Sequence, residues 1–511
     1  MLAKVLSAAV VGVDAVPIDV ECDVTGGFPS FDVVGLTELT VREARVRVRS
    51  AIRHSNLPFP KTRVVVNLSP ADLRKDGTAF DLAVALAVLI ADGVLPSDAL
   101  DGWMVIGELS LTGSVRPVPG VLAVAELAKR LGLKGVICPE SNVSEVVATG
   151  GVEARSATTL SDVVRLLKSG EQWPTAHVPS VPPPRLATLD WSDVRGHAAA
   201  KRALEVAAAG GHHVLLVGLP GTGKTMLARR LPTILPPPSV AESIEVTKVH
   251  SVAGLLPHGM GLLTNRPFRA PHHTVSASAL IGGGTTPRPG EASLAHQGTL
   301  FLDELPEFPR HVLGVLREPM EHGVASVTRA RQTVRFPAKF MLVGSMNPCP
   351  CGNLGSIQRA CICTPEAIER YWARLPKPVL DRIDIRVDMQ ALTPAMLREG
   401  TPGETSVVVQ ARVVAARARQ AERYAAHGGG TNASVKMSVL HETSPLQPAV
   451  HDLLLRALSS FGMQPRAHDL MWRFARTIAD LDGVADIGPE HVAEALVYRH
   501  PAEPQTDGDQ R

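Results

Sequence analysis

The sequence predicts an α/β fold in which a core with buried apolar strands carries a helical lid and follows a separate α+β domain. Three observations predict it. HHVLLVGLPGTGKTMLARRL (212–231) passes from an apolar strand through a glycine-rich turn into a helix. GTLFLDELPEF (298–308) and FMLVGSMNP (340–348) are two further short apolar strands, each ending in a polar residue. EQWPTAHVPSVPPPRLATLD (171–190) is Pro-rich and aperiodic, which marks a stiff linker before this core. At 511 residues the chain accommodates two or three domains.

Taken in order, MLAKVLSAAVVGVDAV shares one lysine and an apolar run with signal peptides. It leads into the alternating VPIDVECDV without a small-residue cleavage region, so a first strand is the better reading. The longest apolar run, LAVALAVLIADGVL, is too short to span a bilayer. Six cysteines, four of them crowded into NPCPCGNLGSIQRACICTP and two (Cys22, Cys138) isolated, are no secreted disulfide framework and point to a reducing, cytoplasmic setting. A net charge of only +2 excludes a bulk polycation, so any nucleic-acid contact must be a local patch. The expected division is 1–170, the linker 171–190, a core over 191–397, a lid over 398–500 and a disordered polar tail 501–511. Within the lid, REGTPGETS (398–406) is a weaker break before the helical VVVQARVVAARARQAERYAA, and GGGTNAS (428–434) is expected to be a flexible joint.

Gly218-Leu219-Pro220-Gly221-Thr222-Gly223-Lys224-Thr225 has the spacing of a nucleoside-triphosphate loop, in the strand-to-helix setting that confirms it. Glycines let backbone N–H groups converge on phosphate oxygens. Lys224 would reach the β- and γ-phosphates and Thr225 would hold Mg²⁺. Asp303 and Glu304 end the second strand, where an acid pair suits a nucleotide site in an open α/β sheet. Asp303 would serve the metal and Glu304 would polarise the attacking water. Asn347 ends the third strand and either orients that water or simply begins the turn before Pro348. In VLDRIDIRV, Arg382 lies between acids; it is either a surface ion pair or a residue reaching a neighbouring subunit's γ-phosphate.

Together the loop, acid pair, asparagine strand, LDRID and following helices resemble an AAA+ ATPase. More narrowly, FRAPHHTVSASALIGGG, PGEASLAHQGTLFLDELPEF, NPCPCG and LDRID resemble the Mg-chelatase-like YifB/ComM family, over nearly the whole chain. The resemblance implies a ring-forming, hexameric ATPase using ATP and Mg²⁺, with Arg382 as arginine finger. QPRAHDLMWRFARTIADLDG is similar to that family's sensor-2 helix and points to Arg466, with Arg473 and Arg476 on the same helix. RKDGTAFDLAVALAVLIADG and GELSLTGSVRPVPG resemble the Lon protease domain, implying a Lon-protease-like (ribosomal S5-like) α+β fold for 1–170. Lon-type chemistry needs a Ser–Lys pair, and alignment of these segments puts Ala79 and Leu122 at the two places. Ser110 and Ser114 belong to the strand and turn of GELSLTGSV. A non-proteolytic scaffold is expected.

Between the acid pair and Asn347 lies EHGVASVTRARQTVRFPAKF, read as two strands joined by a turn that carries Arg329 and Arg331. The turn is either a solvated surface or a basic tip that grips phosphates without reading sequence. An earlier segment, TNRPFRAPHHTVSASALIGGG, offers Arg266, Arg269, His272 and His273; it resembles a substrate-engaging insertion, though the histidines could cap or pack at the next helix start. The resemblance implies a DNA motor that drives branch migration. A metal-insertion motor and a protein-remodelling ATPase are the alternatives. Cys349, Cys351, Cys361 and Cys363 supply four thiolates in a Cys-x-Cys arrangement, enough for a closed structural Zn²⁺ site; free thiols or a redox-labile pair are the other readings.

Overall fold

The computed structural model describes residues 2–35, 38–70, 75, 77–171, 173–174, 189–257, 259–284, 286–329, 332–356, 358–391, 403–460 and 465–498. Most of the linker 171–190, part of the break at 398–406, and the tail 501–511 lie outside the described residues.

The N-terminal strands are β1 (Leu2–Val11), β2 (Asp14–Thr25), β3 (Ser30–Val34), β4 (Arg63–Ser69), β5 (Trp103–Val105), β6 (Glu108–Leu109), β7 (Val115–Arg116), β8 (Gly135–Pro139) and β9 (Glu153–Ala157). Among the described residues they form a seven-stranded sheet in the order β3-β4-β2-β1-β5-β8-β9, with β6 and β7 pairing separately. β1 is thus a strand, as its lead into the VPIDVECDV alternation predicts. It pairs antiparallel with β2 up to Val11 opposite Asp14, and Gly12 turns the chain with φ +67°. The run LAVALAVLIA becomes the helix Asp81–Ala91, buried along its whole length and packed on β1 and β2. A helix apolar on every side belongs inside a core. Among the described residues, no helix is long and apolar enough to cross a membrane.

The second region holds β10 (Val214–Gly218), β11 (Phe268–Arg269), β12 (Gly282–Gly283), β13 (Arg288–Pro289), β14 (Thr299–Leu302), β15 (Val324–Arg329), β16 (Gln332–Pro337), β17 (Met341–Met346) and β18 (Ile385–Met389). Five of these make a parallel sheet in the order β11-β14-β17-β10-β18. β10, β14 and β17 are buried throughout, which is why each reads as an unbroken apolar run. Their carboxyl ends lie along one edge, where Gly218 ends β10 and Asp303 and Asn347 follow β14 and β17. β15 and β16 form an antiparallel hairpin outside this sheet.

Helices Ser406–Tyr424 and Pro465–Asp482 pack on the helix Ala198–Gly210 and close the core from the C-terminal side. GGGTNAS is not the flexible joint its composition predicts. Asn432 is fully buried; it accepts from Tyr424 Oη (2.7 Å) and donates to Thr477 Oγ1 (3.0 Å) and Asp480 Oδ2 (2.9 Å). The glycines supply the turn, while the buried amide finds its partners on distant helices, information that local composition does not hold.

The two regions are joined by polar contacts. Lys248 pairs with Asp14 (2.8 Å) and Glu126 (2.7 Å), and Gly120 N donates to Ser251 Oγ (3.0 Å). Val13 also packs against Val327, Val334 and Phe336, so the turn between β1 and β2 rests on the β15–β16 hairpin.

Candidate nucleotide site

The glycine loop leaves β10 at Gly218, turns through Gly221 (φ +78°) and Gly223 (φ +84°), and enters the helix Lys224–Arg230. Side chains at either glycine would strain the backbone that has to wrap phosphate oxygens. Lys224 Nζ donates to Gly218 O (2.7 Å), Leu219 O (2.9 Å) and Asn347 Oδ1 (3.2 Å). Burial lowers the Lys224 pKa, while the nearby Asp303 and Glu304 carboxylates work against that shift. Thr222 Oγ1 donates to Leu219 O (2.8 Å), bracing the turn from inside.

Thr225 Oγ1 donates to Asp303 Oδ2 at 2.8 Å. A hydroxyl and a carboxylate held together, with the loop amides beside them, are the hard oxygen ligands that suit Mg²⁺. Three segments far apart in sequence, 218–225, 303–304 and 347, therefore meet at the ends of adjacent strands. Ser345 completes the cluster: its hydroxyl bonds Asp303 Oδ1 and accepts from Glu304 N (3.3 Å). Sequence reasoning missed Ser345, whose signal is a lone polar residue in the buried strand β17. Glu304 has a left-handed backbone (φ +52°), a strained state for a non-glycine residue that holds its carboxylate away from the strand line.

His273 is the second residue missed as a neighbour of the acid pair. Its Nδ1 lies 3.8 Å from Glu304 Oε2, its ring centroid is 4.0 Å from that of His272 with the two planes tilted by 34°, and it meets Phe308 edge-on. It caps no helix; Ser276 does that for Ala277–Ile281 by accepting from Ala279 N. His197 is the third: it adopts φ +54° and approaches the glycine loop near Gly223. A cavity of 380 Å³ lined by Trp191, Gly196, Lys201, Arg202, Glu404 and Arg412 opens next to it, between the core and the lid.

The remaining predicted residues lie elsewhere. Arg382 donates to Pro378 O (2.9 Å) and pairs with Glu321, so within one chain it is held outside the phosphate-loop cluster. Its neighbour Asp384 is structural: burial would raise its pKa, but His212 and the His213 amide hold it below the usual carboxylate value. Arg473 is committed to Asn432 O and Val435 O, and Arg476 to Val484 O and Asp480. Neither is therefore available as a sensor, which leaves Arg466, on the helix Pro465–Asp482, as the lid candidate. In this chain the Arg269 guanidinium is forked onto Glu291 (2.6 and 2.7 Å), and Arg266 is bonded to Pro236 O, Gln297 O and Glu242. Arg329 ends β15, and Arg331 lies outside the described residues.

In the N-terminal region Ala79 O accepts from Gly107 N (2.8 Å), and Leu122 is fully buried with its N–H on Glu145 Oε2 (3.1 Å). Ser110 bonds Thr112 and the Ser114 amide within its own turn. An apolar pair has no proton to move, so we predict that unfolded protein substrates incubated with the chain and ATP release no peptides. Peptide release that disappears on replacing Ser110 or Ser114 would show that a serine site had been overlooked.

Comparison with known proteins matches residues 190–397 to the family described as magnesium chelatase, subunit ChlI, residues 20–142 to subunit ChlI of Mg-chelatase, and residues 403–499 to the ChlI C-terminal family. The chain is 42% identical over 506 residues to competence protein ComM of Haemophilus influenzae, covering 98% of this chain and 97% of that protein. It is 41% identical over 500 residues to the YifB protein of Escherichia coli, with 98% and 97% covered. A shorter similarity, 32% over 126 residues, links 23% of the chain to 19% of the archaeal Lon protease of Methanocaldococcus jannaschii.

Proposed function

The chain belongs to the Mg-chelatase-like YifB/ComM family of AAA+ ATPases, and from that premise we propose that it is an ATP-driven ring motor acting on DNA. In this reading it is a cytoplasmic homo-oligomer, a hexamer, that works as a helicase or branch-migration translocase in recombination or DNA uptake. Residues 191–397 are the motor, 398–500 its lid, and 1–170 a scaffold without protease chemistry. Lys224 and the loop amides bind the ATP phosphates, Thr225 and Asp303 hold Mg²⁺, and Glu304 with Asn347 handles the attacking water. When bound, Mg²⁺ neutralises charge on the phosphates. The four-cysteine loop takes a structural Zn²⁺.

The observation that carries the DNA part is the β15–β16 hairpin. It is inserted between the acid-pair strand and the asparagine strand, and its tip sequence is basic at Arg329 and Arg331. A motor built this way can couple phosphate contacts at the tip to the two strands that surround ATP. The similarity to a competence protein supports the same reading. Porphyrin-stimulated or protein-stimulated turnover would instead favour a chelatase or a remodelling ATPase.

The test is ATP turnover and DNA binding of Arg329→Ala/Arg331→Ala. Affinity is expected to fall alike for all sequences, and the salt dependence to become shallower, as phosphate contacts are lost. Basal turnover should survive, DNA stimulation should shrink, and stability should change by less than about 0.5 kcal/mol, the scale for substitutions of solvated charges away from a core. Unchanged DNA affinity with the same salt slope would remove the hairpin from the mechanism and shift the reading to protein remodelling.

A further inference from the structure

We propose that the zinc ion assigned to the four-cysteine loop is a positioning element of the ATP site: it clamps the loop 349–363 so that the Gly352 backbone props the glycine loop and Asn347 in place. The proposal rests on the zinc assignment and adds a task to it.

The sulfurs are arranged for one ion. Cys349, Cys351, Cys361 and Cys363 place their Sγ atoms within 4.8 Å of one another. The separations are 3.5 Å for Cys349–Cys351 and 3.6 Å for both Cys349–Cys361 and Cys351–Cys361. A disulfide needs about 2.05 Å, and these sulfurs are spread evenly rather than drawn into pairs. A tetrahedral ion with metal–sulfur bonds of about 2.3 Å separates its ligand atoms by about 3.8 Å, close to what is seen. A backbone N–H already faces the sulfurs: Leu354 N donates to Cys349 Sγ (3.3 Å). Such an amide shares the negative charge of a thiolate and fixes ligand orientation. Four soft thiolates with no open position select zinc, whereas the hard oxygens of Thr225 and Asp303 select magnesium. The two metals would thus be sorted by ligand type within one site region.

The loop touches the nucleotide machinery at a defined point. Gly352, flanked by Cys351, has φ +78°, and a Cβ there would lie 2.8 Å from Pro220 Cγ and 4.0 Å from Asn347 Nδ2. Its N–H bonds Cys349 O (3.0 Å), so its placement is set by the ligand-bearing turn. Pro348 O is held by Trp372 Nε1 (3.1 Å), on the helix Pro365–Trp372 that starts two residues after Cys363. An ion on the four sulfurs therefore ties the end of β17 to the start of that helix and presses the turn against the glycine loop. Without it, one buried thiol and three half-buried ones would have to hold this turn by themselves; a ligand set of this kind draws its folding energy from the ion.

The experiment uses the full chain and three readouts: zinc content by elemental analysis, affinity for a fluorescent ATP analogue, and ATP turnover. Expected are about one zinc per chain, and for Cys361→Ser/Cys363→Ser loss of zinc with turnover down at least about tenfold. Gly352→Ala, which leaves every ligand in place, should keep its zinc while nucleotide affinity and turnover fall several-fold. This second variant holds the proposal open to refutation even if the cysteine variant fails to fold. Wild-type protein without zinc, or with iron in its place, overturns the metal assignment. Gly352→Ala with full zinc and wild-type affinity and turnover overturns the positioning task. A zinc-loaded wild-type chain that hydrolyses no ATP would overturn the motor reading instead, and the zinc and affinity readouts would still judge the clamp.

Discussion

Glu304→Gln is expected to bind ATP as the wild type does while turnover falls by two or more orders of magnitude, the scale lost with a general base. The amide keeps the size of the side chain at a backbone turn of φ +52°, so the change is confined to the carboxylate's charge and proton affinity. Thr225 and Asp303 are left to hold Mg²⁺. Lys224→Ala should behave differently: it removes the cation that bonds two loop carbonyls and Asn347, and nucleotide affinity should fall. Phosphate release at saturating ATP, beside analogue binding, separates the two. Wild-type turnover by Glu304→Gln would mean that another group activates the water.

Arg382→Ala is expected to be nearly inactive alone yet partly rescued in trans. An arginine that stabilises the transferring phosphoryl group is worth roughly 10³–10⁵ in rate. Within one chain Arg382 pairs with Glu321 at the surface, away from the phosphate loop. A finger that serves a neighbour should be mounted in this way. Mixing Arg382→Ala with Glu304→Gln chains creates some interfaces with an intact finger and an intact Glu304, and turnover should rise above that of either variant. A mixture no more active than its components would reduce Arg382 to an ion pair of the Arg382–Glu321 kind.

The chemistry of the site was legible because each of its parts is local. A glycine loop between strand and helix, an acid pair after an apolar strand, and an asparagine after another all announce themselves by residue type and spacing. The N-terminal strand, the β15–β16 hairpin and the long lid helices were legible for the same reason: period and turn chemistry are written in neighbouring residues. The ion pair of Arg269 with Glu291 was not legible. The partners lie 22 positions apart, and no local pattern says that the two will meet. GGGTNAS was misread because buried Asn432 and an exposed asparagine look alike in composition.

By itself the sequence determined the fold class, the resemblance to an ATPase family and the identity of the residues at the strand ends, since these follow from short-range patterns and from the chemistry each residue type can perform. Only the tertiary structure decided which groups stand beside one another. It set Ser345 on Asp303, His273 near Glu304, Gly352 against Pro220, and four sulfurs at one corner of the site. It also gave Arg269, Arg473 and Arg476 partners within the chain. The physical reason is that charge pairing, burial and ligand geometry depend on distances through space. Those distances are fixed by the order β11-β14-β17-β10-β18 and the packing around it, which no single segment of the chain contains.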